Sequence, residues 1–489
     1  MKYKIYPPIG FARLGNSDSF FIGPETNSSN GTEIDNNGNE SEVASFKDDS
    51  GQVKRMASRF TIFEFEDDGS NGRPLDLTNG VEIDWSIQLG NLKDAIARGR
   101  YPQRERPNIR PKHPRLDASR TNRQIISDLK EINGPNHANV TLDGLYLKGT
   151  TNETNVYLGE VYSDDKGRLI VLGGKGLSDS PEGEAIGNGE DPRRNFYTNP
   201  GWYDDIADGP INAEITLSTG AKVMADPGWV VVGPPDFAPD VRATTTLYDI
   251  LFDIGLKQGD LMLREKPNFW TDIKPIIERT RSMRWVDKTP VLDWGTVSNN
   301  WQELSNSGQS SASLRQETME KIMAIESALL NYNLRDWQTQ YLDQWVQGNF
   351  EMNQESKPQH EEIVRSALDG TVGQGFLPGI EAGILLLASN IYSTPFDFRF
   401  AHNVLKPGWI TAQMAQPWQA DFLKCNDRWW PTQRPDFAPD ANGNLNLWLE
   451  EGTTHRDLAE NQYAMKLGVI TPRPTPEDPE RQVEEGKVN

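Results

Sequence analysis

The hydrophobic pattern changes its period near Thr244, and no other feature of the chain restricts its fold as much. Before that point apolar and polar residues alternate, as in Arg59 to Glu66 (RFTIFEFE) and Val81 to Ile87 (VEIDWSI), the period of strands that face two environments. Asn155 to Leu172 reads as a hairpin whose Ser-Asp-Asp-Lys-Gly turn places Gly167 where positive φ is needed. Ile211 to Leu217 and Trp229 to Val232 add strands. After Thr244 the spacing becomes helical, over Thr244 to Leu256, Phe269 to Val286, Ser311 to Leu330, Leu334 to Val346 and Ile363 to Leu368. The expectation is an α+β fold, with a β-rich region over 1–243 and a mainly helical region over 244–470, interlocked as one unit. Residues 471–489, Pro-rich and charged, are expected to fray or run over the surface. Thr26 to Ser50, rich in Asn, Ser, Gly and acids, reads as a mobile surface loop without chemistry.

Charge and residue usage exclude several function classes. Lys plus Arg number 50 against 71 Asp plus Glu, a balance of −21 that repels phosphate backbones and anionic membranes. No stretch approaches the roughly 20 apolar residues of a membrane span, and residues 1–10 lack a secretory-signal layout, so a soluble chain is expected, cytoplasmic or exported without a signal peptide. The one cysteine, Cys425, excludes an internal disulfide or a multi-cysteine metal site. The five histidines show no HxH, HxxxH or HExxH spacing, so no protein-bound metal is expected. Residues 98–123 form a basic island, eight arginines and Lys112 against Glu105 and Asp117; pairing with acidic neighbours is the favoured reading, anion binding the other. The hexapeptide PDFAPD occurs at 235–240 and again at 435–440, which reads as turn chemistry.

The chemistry-bearing segment surrounds Cys425. Tryptophans 409, 418, 429 and 430 crowd it, and on a helix started by Pro417 the carboxylate of Asp421 and the thiol of Cys425 share a face at i and i+4. Pro431 ends that helix and leaves Trp429 and Trp430 at a bend. A lone cysteine among tryptophans is most often a small buried hydrophobe. A thiolate nucleophile is disfavoured, because a carboxylate at i−4 raises the thiol pKa and no histidine base lies near in sequence. One further chemistry uses this set: cross-linking of the sulfur to an oxidised indole.

The segment resembles that of the cysteine tryptophylquinone oxidases, the family of bacterial lysine ε-oxidase and glycine oxidase, through PWQADF (417–422), Cys425, Trp430-Pro431 and Arg434-Pro435. IYPPIGFARLGNS (5–17), FFIGPE (20–25), IDWSIQLGN (83–91), RLIVLGGKG (168–176), GWYDDIADGP (201–210), WVVVGPPDFAP (229–239) and FLPGIEAG (376–383) also resemble family segments, in family order. The resemblance implies that Cys425 donates the sulfur, that Trp430, with Trp429 as the alternative, becomes the quinone, and that Asp421 is the acid/base group. It implies a protein-derived cysteine tryptophylquinone, oxidative deamination of a primary amine or amino acid by O2 to aldehyde or oxo acid, ammonia and hydrogen peroxide, and no dissociable flavin or metal. A flavoprotein that matures the quinone and a homo-oligomeric state are implied as well. Thr371, Phe376, Glu381, Trp418 and His402 are candidates for the substrate pocket, in the helical part under loops of the β part.

Two departures stand out. Only residues 426–429 separate Cys425 from Trp430, where several relatives have an extended loop, and Thr371 stands where relatives carry a Cys or His ahead of the Gly-x-Gly-Phe stretch. Substrate selection is therefore expected to differ, and the sequence does not name the amine. The rival readings are a family member that binds without catalysing, and a glycan-binding module that uses its tryptophans as stacking platforms.

Overall fold

A computed structural model describes residues 1–35, 38–96, 114–186, 199–286, 300–328, 334–371, 383–420, 437–439, 442, 444–447 and 463–485. Of the strands before residue 234, seventeen are linked into one sheet system among these residues and two, Ser178–Asp179 and Tyr203–Asp204, pair with each other; helices follow, the α+β order that the change of period predicts. Nine strands carry the argument: β1 (Lys2–Tyr6), β2 (Ile9–Arg13), β3 (Arg55–Phe65), β4 (Glu82–Ile87), β5 (Val140–Tyr146), β6 (Thr154–Ser163), β7 (Leu169–Gly173), β8 (Ala207–Thr216) and β9 (Gly228–Gly233). β3 pairs antiparallel with β1 and with β7, and β6 and β7 form the expected hairpin, with Gly167 at φ 70° in its turn. β8 lies antiparallel between β4 and β9, and β9 runs parallel to β2.

The period of two explains how sheet and helices lock together. On β9 Val230 and Val232 enter the main sheet core with Ala12 of β2, whereas Trp229 and Val231 face the helices together with Ile9 and Phe11. The helix side is supplied by α1 (Leu247–Gln258), through Leu247, Ile250, Leu251 and Ile254, and by α5 (Gln359–Asp369), through Val364 and Leu368. Each such side chain taken fully from water contributes roughly 1.5–3 kcal/mol before entropy, so this shared layer holds the two regions as one unit. α2 (Lys274–Ser282), α3 (Ala312–Ala328) and α4 (Asp336–Val346) surround a separate core that includes Ile276, Ile277, Leu342 and Trp345. α1 starts on a capping box, Thr246 Oγ1 accepting from Asp249 N at 3.3 Å and Asp249 Oδ2 from Thr246 N at 2.9 Å, and stops at Gly259 with φ 82°.

Two stretches of solvated composition, one expected to be a mobile loop and the other to fray or run over the surface, take part in regular pairing. In 26–50, Thr32–Ile34 pairs with Glu40–Glu42, and Val43 and Phe46 join the main core. Acids in and just before that stretch explain why: Arg59, 5% exposed, is bound by Glu25 and Glu40, and Glu40 also pairs with Arg168. A guanidinium can be buried there only because carboxylates neutralise it. Likewise, part of the C-terminal stretch forms a hairpin of β10 (Val469–Pro472) and β11 (Gln482–Glu485). Glu480 between them pairs with Arg281 and Arg284, and Glu485 accepts from Ser45 and from Phe46 N. The recurring hexapeptides meet at this end of the molecule: Ala238, Ala438 and Ile470 share one small core with Met283, and Ile470 N donates to Phe237 O at 2.8 Å.

Candidate active site

Asp421, Cys425, Trp429, Trp430, Phe376 and Glu381, and the helix expected from Pro417 in its part beyond Ala420, lie outside the described residues. What is described is the platform that delivers the chain to Asp421. Gly408 to Ala420 contains almost no regular structure: a 3-10 turn at Thr411–Gln413, a cis Gln416–Pro417 bond, and a turn closed by Ala420 N donating to Pro417 O at 3.0 Å. Such a segment must find partners for its backbone elsewhere, and it finds them on buried side chains of the β region.

Two aspartates of GWYDDIADGP supply most of those partners. Asp208, at 0% exposure, accepts from Thr411 N at 2.8 Å, Thr411 Oγ1 at 2.6 Å, Ile410 N at 3.2 Å and Trp229 Nε1 at 3.0 Å, while its carbonyl accepts from Gly408 N at 2.9 Å. Burial raises its pKa to about 6, with the donated bonds from Thr411, Ile410 and Trp229 opposing. Asp204 accepts from Trp418 N at 2.8 Å, from Asn91 Nδ2 at 2.8 Å, and from the Lys93 ammonium, which also donates to Ala415 O at 2.7 Å. Lys93 and Asp204 are each 1% exposed, a fully buried ion pair to which the platform adds the Trp418 amide and the Ala415 carbonyl. Gln416 Nε2 donates to Trp202 O at 2.6 Å, Asn199 Nδ2 donates to Gln416 O at 2.8 Å, and Gln419 Nε2 donates to Gly176 O at 3.2 Å.

Asp205 is a third buried acid in the same motif. It accepts from Leu177 N at 2.9 Å, and its Oδ1 is buried without a hydrogen-bond partner among the described residues. Burial pushes its carboxyl up to about 7, the Leu177 amide opposing and the Asp204 charge adding to the rise. It packs so tightly on Gly174 that a Cβ there would lie 2.5 Å from its carboxylate.

Three of the expected pocket residues can be located. Trp418 is 1% exposed and belongs to the main core with Met414 and Met465, so its ring is a packing element under the platform. His402 meets Trp229 edge to face at 5.0 Å, and Trp229 carries it to Asp208. Burial, then the Arg399 charge, depresses its pKa to about 4 against a bond to the Gly228 backbone, so it is a neutral imidazole at pH 7. Thr371, 2% exposed, donates to Leu368 O at 2.7 Å just after α5. It adjoins a second buried network, in which Asp369 accepts from Thr246 Oγ1 at 2.6 Å and pairs with Arg365 and Arg279. Trp418 and His402 are thus tied to the Asp204–Asp208 motif, and Thr371 to the end of α5.

Sequence reasoning assigned no role to Lys93, Asp204, Asp205 or Asp208. The available signal was their setting, charged residues inside the otherwise uncharged runs LGNLKD and WYDDIADGP. The basic island, over its described part, serves ion pairing: Arg120 and Arg123 both meet buried Asp94, and Arg123 also meets Glu182. Among the described residues no group of His, Cys, Asp or Glu could hold a metal ion, and no helix is long and apolar enough to cross a membrane.

With this arrangement in view, the comparisons with known proteins are specific. Residues 6–232 match the L-lysine epsilon oxidase N-terminal family model, and residues 317–448, which include Asp421, Cys425 and Trp430, match the L-lysine epsilon oxidase C-terminal domain. The L-lysine 6-oxidase of Marinomonas mediterranea is 25% identical over 539 residues, covering 87% of this chain and 71% of that protein. The same fold is seen in the crystal structure of the Schiff base intermediate of L-Lys epsilon-oxidase from Marinomonas mediterranea with L-Lys, at TM-score 0.77 and 21% identity over 99% of this chain and 94% of that one. A second crystal structure of that oxidase gives TM-score 0.77 at 20% identity, with the same coverage. The two family matches leave only 233–316 and the chain ends uncovered, and on them the chain belongs to the L-lysine epsilon-oxidase family.

Proposed function

We propose that this chain is a quinoprotein oxidase that deaminates a primary amine or amino acid, using a cysteine tryptophylquinone built from Cys425 and Trp430. The observation that carries the reading is that the C-terminal family match spans Asp421, Cys425 and Trp430. The donor set fits such a group: one cysteine to give the sulfur, an indole five residues on, and a carboxylate four residues before. The reaction is RCH2NH2 + O2 + H2O → RCHO + NH3 + H2O2, with an oxo acid in place of the aldehyde for an α-amino acid. Once formed, the quinone supplies a carbonyl electrophile for the amine and a two-electron sink that O2 empties.

The chain's own residues do the rest. Asp421 takes the substrate's α-proton and is the group that accepts the indole proton during maturation. Its efficiency depends on position, and the buried partners of Ala415, Gln416, Trp418 and Gln419 fix the backbone that leads into it. His402, half-buried and neutral, packs on Trp229 beneath the platform and carries no charge to it. Thr371 at the end of α5 gives a small polar group where relatives have a Cys or His, and this supports a substrate choice of the chain's own. Maturation by a flavoprotein partner and assembly into a homo-oligomer belong to the same proposal.

Tryptic peptide mass spectrometry on protein co-expressed with its flavoprotein partner, with a visible spectrum, tests the reading. The expected result is a peptide joining Cys425 to Trp430, or to Trp429, with two added oxygens, and a quinone band that bleaches on adding an amine. An alkylatable Cys425 and unmodified tryptophans in that protein would refute the quinone mechanism and favour a binding role.

A further inference from the structure

A cavity of about 360 Å3 opens between α2, the loop after β9 and the C-terminal hairpin, and its charged lining is incompletely paired. Arg279 is neutralised by Asp249 at 2.9 Å and Asp369 at 3.3 Å, and Arg281 and Arg284 share Glu480. Two other lining groups have no such partner. Arg242 donates to Asn27 Oδ1 at 2.7 Å and meets no carboxylate at ion-pair distance among the described residues. Asp240, two positions earlier, forms no ion pair among them, and its buried Oδ2 accepts no hydrogen bond. Asn27, also in the lining, links Arg242 to the buried network, because its own Nδ2 donates to Asp369 Oδ2 at 3.2 Å.

A half-buried guanidinium and a half-buried carboxylate that face one cavity and do not pair with each other call for a bipolar ligand. A simple anion at Arg242 would lie beside the Asp240 carboxylate, and a simple amine at Asp240 would lie beside the guanidinium. Burial pushes the Asp240 carboxyl up to about 6 with the Arg242 charge opposing, a cost that a bound cation relieves. We propose that this cavity binds the zwitterionic head of a free α-amino acid, its carboxylate on Arg242 and its ammonium on Asp240. The site is built from the loop after β9 and the N-terminal 27–30 stretch, and binding there does not depend on whether the quinone forms.

Isothermal titration calorimetry of L-alanine into this chain, produced without the flavoprotein so that no turnover consumes the ligand, tests this. The expected result is saturable binding of L-alanine, none of acetate or ethylamine over the same range, and at least tenfold weaker L-alanine binding in Asp240→Asn and in Arg242→Gln. Asp240→Asn is isosteric at a position with no ion pair and no Oδ2 hydrogen bond among the described residues, and circular dichroism checks that the fold is kept. Acetate binding as tightly as L-alanine, unchanged affinity in both variants, or no saturable binding at all overturns the proposal. None of these outcomes bears on the cross-linked peptide, so the oxidase reading stands or falls separately.

Discussion

Replacing Lys93 with Met separates the contribution of charge in the platform from that of shape. The side chain keeps its length, but Asp204, at 1% exposure, becomes a buried charge without a cation, and Ala415 O loses its donor. Breaking a buried pair by removing one partner costs about 3–5 kcal/mol. Unfolding entropy of roughly 2.1 cal/mol/K per residue gives about 1 kcal/mol/K for 489 residues, so the melting temperature should fall by about 3–5 °C. Adding Asp204→Asn removes the orphaned charge, and the double variant should recover part of that loss. Recovery is incomplete because the new carboxamide turns its NH2 towards either the Trp418 amide or the Asn91 side chain, both of which donate to Asp204. Differential scanning calorimetry of the parent, both single variants and the double variant reads all four corners. A Lys93→Met melting point within 1 °C of the parent, or a double variant no better than Lys93→Met, would show that the ion pair does not hold the platform.

Asp205→Asn should change how stability depends on pH. The folded-state carboxyl titrates at about 7 against 3.8 when unfolded, so its stabilising protonation is complete below 3.8 and is lost as pH rises through 7. The variant should therefore gain on the parent by about 2–3 kcal/mol between pH 5 and pH 8, read as converging and then crossing melting curves; parallel curves would refute the assignment. Ile470→Ala should cost about 2–5 kcal/mol in chemical denaturation, because Ile470 is fully buried beside Ala238 and Ala438; a change below 0.5 kcal/mol, on the order of a surface substitution, would mean that the hairpin does not close that core. Asp421→Asn should abolish amine oxidation and leave Cys425 alkylatable after co-expression, since one carboxylate serves maturation and turnover; normal cross-linking in this variant would restrict Asp421 to turnover.

Strand and helix order was legible because burial on one face writes a period into the sequence. Val230 and Val232 against Trp229 and Val231 are such a pattern, and so are the apolar positions of α1. The capping box at Thr246 is local chemistry and needs no distant partner to be recognised. The stretches 26–50 and 471–485 hold more structure than their composition suggests, for one shared reason. Their composition is that of solvated loops, and what packs them is neutralisation of arginines that lie far away in sequence, Arg59 by Glu25 and Glu40, Arg281 and Arg284 by Glu480.

The family relation and the choice of Asp421, Cys425 and Trp430 rest on sequence, because covalent chemistry needs particular side chains at short spacing and such motifs survive as local strings. The support beneath them was decided by tertiary structure alone. Asp204 and Asp208 reach residues 410–418 across some 200 positions, Lys93 reaches Ala415, and Asp240 and Arg242 line one cavity only where α2 and the C-terminal hairpin enclose it. Periodicity records which face of an element is dry. It does not record which charge on one element meets which carbonyl on another, because that depends on how the chain closes on itself, and electrostatic partners are chosen by distance in space rather than along the chain.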